Sequence, residues 1–180
     1  MKPLVIAMLL GAAAVAQANP QPYAGQQARA IKALPDDEAK ALLAGAGLGY
    51  AKAAELNRYP GPMHTLELAD KLGLSADVTA RMNALMIAHK ADASKIGAEI
   101  VALERELDTL YAERRATKDT VEALSAKLGL AYGRYRAAHL TTHIEAARLL
   151  TPEQIARYDV LRGYGNSGSA GAHQHHRHKH

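Results

Sequence analysis

Histidine is the residue type in this sequence best equipped for chemistry, and eight of its nine copies fall into two groups. Five close the chain in the run AHQHHRHKH: His173, His175, His176, His178 and His180. Neutral imidazoles are good ligands for Zn, Cu and Ni. A flexible His-rich tract can wrap such an ion without a preformed cage. The interrupting Gln174, Arg177 and Lys179 set this tract apart from a purification tag. The second group is internal. His139 and His143 are four residues apart and share one helix face. If the chain folds back near Thr117, His89 comes opposite Glu145, within a turn of His143. Three imidazoles would then gather at the base of a helix pair, with Asp92 and Glu145 as nearby carboxylates. Such a group can coordinate a metal or protonate as a pH-sensitive contact. The plainer alternative is that His89 is a satisfied seam residue and His139 packs beside Tyr135. His64 stands alone.

Other chemistries are poorly provided for. The chain has no Cys, which excludes disulfides, thiolate zinc sites, iron–sulfur clusters and cysteine catalysis. There is no GxSxG, phosphate-cradling Gly loop or HExxH. Glu104 and Glu106 have no evident catalytic partner in the sequence. No enzyme activity is expected. The formal charge of +4 is too modest to specify nucleic-acid binding, and basic residues are not interleaved with aromatics for base stacking. Lysines and arginines such as Lys90, Arg105, Arg134 and Arg148 are spread along the chain, a distribution that suits solvated helix faces or loose contact with unfolded proteins.

The elements that must position these residues are helices. All 180 residues include no Phe or Trp, and hydrophobic content of 48% comes largely from Ala and Leu. That composition favours an all-α fold. Met82, His89, Ile96, Leu103 and Leu110 recur every seven residues, and Met86, Ala93, Ile100 and Leu107 form a second row. The pattern predicts a helix from about Ala76 to Arg115, roughly 60 Å long. After a turn at 116–118, capped by Thr117 or Asp119, a return seam runs through Val121, Leu124, Leu128, Tyr132, Tyr135, His139, Thr142, Ala146 and Leu149. Two long helices with a short connection should fold back as an antiparallel hairpin. Short flanking helices are expected from Asp36, over Met63–Leu72 and over Thr151–Tyr164. Leu85, Val101, Ile144 and Leu161 lie off the seams and need other cover, which predicts a homodimer.

Residues 1–18 read as a cleaved secretory signal peptide: Lys2, an uncharged apolar stretch from Leu4 to Val15, and Ala16-Gln17-Ala18. Residues 19–35 read as a flexible arm, 36–164 as the helical domain and 165–180 as the disordered His-rich tail. Export without cysteines points to a periplasm.

A weak repeat marks two helix starts. LSADVTARMNAL begins at Leu74 and LTPEQIARYDVL at Leu150. In the second, Thr151 caps, Pro152 takes the first helical position and Gln154 can close a capping box. In the first, Ser75 can cap but Val78 cannot close the box. Leu150-Thr151-Pro152-Glu153-Gln154 is a complete LTxxQ motif, and Leu74-Ser75 opens a degenerate partner with Val78 where glutamine would stand. Paired motifs flanking a helical hairpin behind a signal peptide resemble the Spy/CpxP family of periplasmic stress proteins. That group includes the zinc-resistance-associated proteins and is similar to the periplasmic heavy-metal sensors. The resemblance implies a curved homodimer of crossed hairpins. It also implies ATP-independent protection of unfolded periplasmic proteins, or metal-linked envelope stress; the competing readings are a metal sensor that addresses a membrane or signalling partner and a plain metal buffer with the hairpin as carrier for the tail. Zinc-resistance-associated proteins are similar in carrying His-rich terminal segments.

Overall fold

The computed structural model describes residues 21–165. The chain is all-helical, with no strand among the described residues. In order, the helices are α1 (Asp36–Leu43), α2 (Lys52–Glu55), α3 (Pro62–Glu67), α4 (Ala69–Leu72), α5 (Ala76–Ala112), α6 (Lys118–Arg148) and α7 (Pro152–Leu161). The signal segment and the five tail histidines lie outside the described residues. No helix among the described residues is long and apolar enough to cross a membrane.

The two long helices α5 and α6 pack together. The Tyr132 hydroxyl donates to Glu104 Oε1 at 3.2 Å, Arg134 donates to both Glu99 oxygens at 2.9 and 3.2 Å, and Thr142 Oγ1 meets His89 Nδ1 at 3.0 Å. These contacts descend α5 as they ascend α6. Glu104, which has no evident partner in the sequence, is thus held by Tyr132. Apolar seam residues close the interface. Ala93, Ile96, Ile100, Leu128 and Tyr135 share a core with Leu42, and Met82 shares another with Ala146 and Leu150.

Several expectations change. α5 ends at Ala112 rather than Arg115, because Arg114 turns left-handed (φ 57°) and the Arg115 and Ala116 amides both return to the Leu110 carbonyl. No glycine or proline signals this stop. Thr117, not Asp119, caps α6, and it exchanges hydrogen bonds with Thr120. The helix expected after Asp36 breaks into α1 and α2, since Gly45 and Gly49 take positive φ. The helix expected over 63–72 splits at Leu68 (φ −104°, ψ 11°) into α3 and α4. The stretch read as a flexible arm contributes to the core: Ile31 and Leu34 are buried and Lys32 pairs with Asp108 at 3.0 Å. Its two buried apolar residues, three apart, are too few for a periodic signal. Of the off-seam residues, Val101 is buried in the core that holds Ile31 and Leu34, and Leu85 packs beside Met82, whereas Ile144 and Leu161 stay exposed.

The repeated helix starts meet in space. Ser75 Oγ accepts from the Val78 amide at 3.2 Å. Thr151 Oγ1 accepts from the Gln154 amide at 3.2 Å while Gln154 Oε1 accepts from the Thr151 amide at 3.0 Å. Gln154 Nε2 then reaches the Leu72 and Gly73 carbonyls at 3.4 and 3.5 Å, just ahead of Leu74. Val78, unable to close a box, packs with Leu74 and Ile155 on the Met82 core. Gln154→Ala removes the box and this bridge together, so a loss of about 1 kcal/mol is expected. Urea unfolding measures it, and an unchanged midpoint would show the motif to be dispensable to the fold.

Candidate functional site

A cavity of about 620 Å³ opens where the loop after α1, the turn before α3, the first half of α5 and the C-terminal third of α6 converge. Its wall is mostly apolar, with Leu48, Leu56, Met63 and Met86 among its residues, and His89, His139 and His143 line it together.

Tyr135 builds this wall. It is fully buried, and its hydroxyl donates to the Ala46 carbonyl at 2.6 Å, tying the Gly-rich 44–49 loop to α6. Tyr50 meets its ring edge-on at 5.5 Å, and His139 packs against it, tilted, at 4.7 Å. Burial pushes the Tyr135 hydroxyl up to about 12. Tyr135→Phe leaves the Ala46 carbonyl without this donor and is expected to cost about 1 kcal/mol. Faster proteolysis within residues 44–49 would report the loosened loop; an unaltered cleavage pattern would argue that the hydroxyl does not hold it.

Each histidine has one ring nitrogen committed. His139 Nδ1–H donates to the Tyr135 carbonyl at 2.9 Å. His143 Nδ1–H donates to the Tyr59 carbonyl at 2.7 Å, with Glu55 Oε2 at 3.7 Å. Thr142 Oγ1 donates to the Ala138 carbonyl at 2.8 Å, so its contact with His89 is a hydrogen bond only if His89 Nδ1 is the donor. In the neutral rings this leaves every Nε2 with its lone pair. His139 Nε2 is buried without a hydrogen-bond partner. An imidazole whose Nδ1–H is fixed by an oxygen and whose Nε2 is open is oriented as metal ligands are. His89 and His139 stand edge to face, 4.5 Å between ring centres. Burial chiefly, and then the charges of His139 and His143, lower the His89 pKa from 6.5 to about 4 against the opposing pull of Asp92. The His89 ring is therefore neutral near pH 7, the form that binds metals.

The expected pairing of His89 is displaced by three residues, whereas Glu99–Arg134 keeps the expected register to within one. His89 meets Thr142 and His139 rather than Glu145. Asp92 and Glu145 are exposed. His143 serves a second purpose: its ring is seated so closely on Gly61 that a Cβ there would fall 2.6 Å from Cε1, which pins the Tyr59–Gly61 turn to α6. His64 also lines the cavity and pairs with Glu67 at 2.8 Å. Among the described residues, no group of three or more His, Asp or Glu side chains is arranged to hold a metal. The three internal histidines each keep an open Nε2 but do not form a complete shell.

Glu55 is the site residue that sequence reasoning missed. It accepts from the Tyr158 hydroxyl at 2.6 Å and lies 3.4 Å from Arg162, joining α2 to α7 beside the cavity. Its partners lie about a hundred residues away, so no local pattern marks it. No family description, curated protein or solved structure matches the chain.

Proposed function

We propose that this chain is an exported, non-enzymatic binding protein: an ATP-independent chaperone of the envelope-stress type that also binds divalent metal. The observation that carries the reading is the open apolar cavity. Leu48, Leu56 and Met63 line it while remaining 42%, 54% and 47% exposed, and Lys52, Lys90 and Arg162 stand among them. Unfolded periplasmic proteins offer apolar and acidic groups that such a surface can hold loosely. Metal binding is assigned first to His173, His175, His176, His178 and His180, with Zn, Cu or Ni as the ions that imidazoles favour.

The test is aggregation of an unrelated unfolded protein, without ATP. Suppression is expected from the full-length chain and from a chain lacking 172–180. It should fall severalfold in a Leu48→Asp, Leu56→Asp variant. Equal suppression by that variant would remove the cavity from the reading.

A second reading, a metal sensor addressing a membrane signalling partner, is favoured by the unpartnered Nε2 of His139. It requires a shape change on metal binding that the chaperone does not. In either case the long helices would act as an antiparallel hairpin, crossing a second copy to form a homodimer. The exposure of Ile144 and Leu161 supports that assembly. Sedimentation of wild type and Ile144→Glu tests it, a monomeric wild type being the outcome against it.

A further inference from the structure

The cavity has the dimensions of a site for one small molecule. Its 620 Å³ falls inside the range, about 300–1,000 Å³, that encloses a single ligand. Apolar side chains that the fold leaves uncovered gather there: Leu48, Leu56 and Met63 stay half exposed although each lines the concavity. The wall is also cationic. Lys52, Lys90 and Arg162 belong to it against one carboxylate, Glu55. Glu55 is already engaged, by the Tyr158 hydroxyl at 2.6 Å and by Arg162 at 3.4 Å. Elsewhere cations such as Lys32, Arg58 and Arg134 are matched by Asp108, Asp159 and Glu99. Among the described residues Lys52 and Lys90 meet no carboxylate. Lys52 and Glu55 are three residues apart on α2 and share its face, and Glu55 draws Arg162 to the same side. The Arg162 Nε–H is buried there without a hydrogen-bond partner.

We propose that the cavity binds a free single-chain carboxylate of medium length, a fatty acid, with its apolar body along Leu48, Leu56 and Met63 and its head among Lys52, Lys90 and Arg162. The concave apolar wall selects the body, because covering those three side chains removes apolar surface from water. The uncompensated cations select the sign of the head. A carboxylate gives the lysines a counter-charge and offers an acceptor to the buried Arg162 donor, which is costly while it has none. A neutral or cationic amphiphile would supply no such counter-charge. An acidic apolar peptide also carries both features, but each of its backbone amides needs a hydrogen-bond partner. The wall is mostly apolar, and an alkyl chain makes no such demand.

This inference uses the cavity of the chaperone reading but not its activity, and the experiment separates the two. Decanoate is titrated calorimetrically into the full-length protein, below its micelle-forming concentration and without metal. One-to-one binding is expected. Octanoate should bind about fifteenfold more weakly, since each buried methylene is worth about fourfold in affinity. A Lys52→Glu, Lys90→Glu variant should lose about tenfold or more for decanoate, as for a lost hydrogen bond to a charged group, and little for decanol. Both lysines are exposed, and circular dichroism confirms that the variant keeps the helices. Leu56→Asp should weaken both ligands. Absence of saturable binding, decanol or the decyltrimethylammonium ion binding as tightly as decanoate, or charge reversal without effect would each overturn the proposal. An acidic apolar peptide binding more tightly than decanoate would overturn it in favour of protein segments. Aggregation suppression without fatty acid is measured on the same chains: its failure would count against the chaperone reading alone, and failure of the decanoate selectivity against the fatty-acid site alone.

Discussion

Gly97→Ala is expected to lower the unfolding free energy by about 2 kcal/mol, although alanine is the better helix former. Gly97 sits in the middle of α5 and is buried where α1 crosses it. A Cβ there would fall on the Leu42 carbonyl, 2.6 Å from its carbon and 3.2 Å from the Leu42 Cα. Both neighbours are backbone, so relief requires moving α1, and Leu42 is itself completely buried. Helix propensity returns up to about 1 kcal/mol, which the overpacking exceeds. The contrast lies in α6, where an added Cβ at Gly129 or Gly133 meets nothing within 4 Å. Gly129→Ala should therefore be stabilising by up to about 1 kcal/mol. Thermal unfolding of the two variants should shift in opposite directions, by about 5 °C downward for Gly97→Ala. Shifts of the same sign would mean that α1 does not rest on α5 as described.

Acid should destabilise the protein through His89 well before general carboxylate protonation. Its ring is held neutral chiefly by burial, and then by His139 and His143, so the pKa falls from 6.5 unfolded to about 4 folded. Between those values the unfolded chain binds more protons than the folded one. The contribution is therefore complete above pH 6.5 and is lost as pH falls toward 4. Allowing for screening at a half-buried ring, about 2 kcal/mol of stability is at stake. His89→Gln has no proton to take up. Urea midpoints of wild type and variant, compared at pH 7 and pH 4, should diverge in their pH response by this amount. Parallel responses would show that the ring protonates without penalty in the folded state.

The long helices were legible because their signal is repetitive. A seven-residue rhythm in α5 identified Met82, Ala93, Ile96 and Ile100, all buried, and the return seam identified Leu124, Leu128, Tyr135, His139, Thr142 and Ala146. Caps were legible for the same local reason, since Ser75 and Thr151 need only residues three positions on. The candidate site was legible only in part. His139 and His143 share a face by helix geometry, but the partner of His89 depends on where α5 stops. That stop rests on a left-handed arginine, Arg114, which no composition rule anticipates. The cavity itself was hidden. Part of its wall is a glycine-rich loop that the Tyr135 hydroxyl ties through Ala46, a contact spanning most of the domain in sequence. Val101 was legible as needing cover, but Gly97 and the identity of that cover were missed, because α1 gives α5 a second buried face and one helix serving two partners blurs its own periodicity.

The attachment of α7 has a dynamic consequence. Within its own span only Tyr158 and Asp159 are buried, and side-chain bonds to Glu55, Arg58 and the Leu72 and Gly73 carbonyls do much of the holding. Such an element has little apolar area to lose and releases as a cooperative unit below the global unfolding energy. Amide hydrogen exchange should thus find residues 152–165 opening together while the centre of α5 stays protected. Because Arg162 and Tyr164 form part of the cavity rim, that sub-global opening and the widening of the entrance are one event, so under the proposed chaperone reading the breathing of a single terminal helix would pace entry.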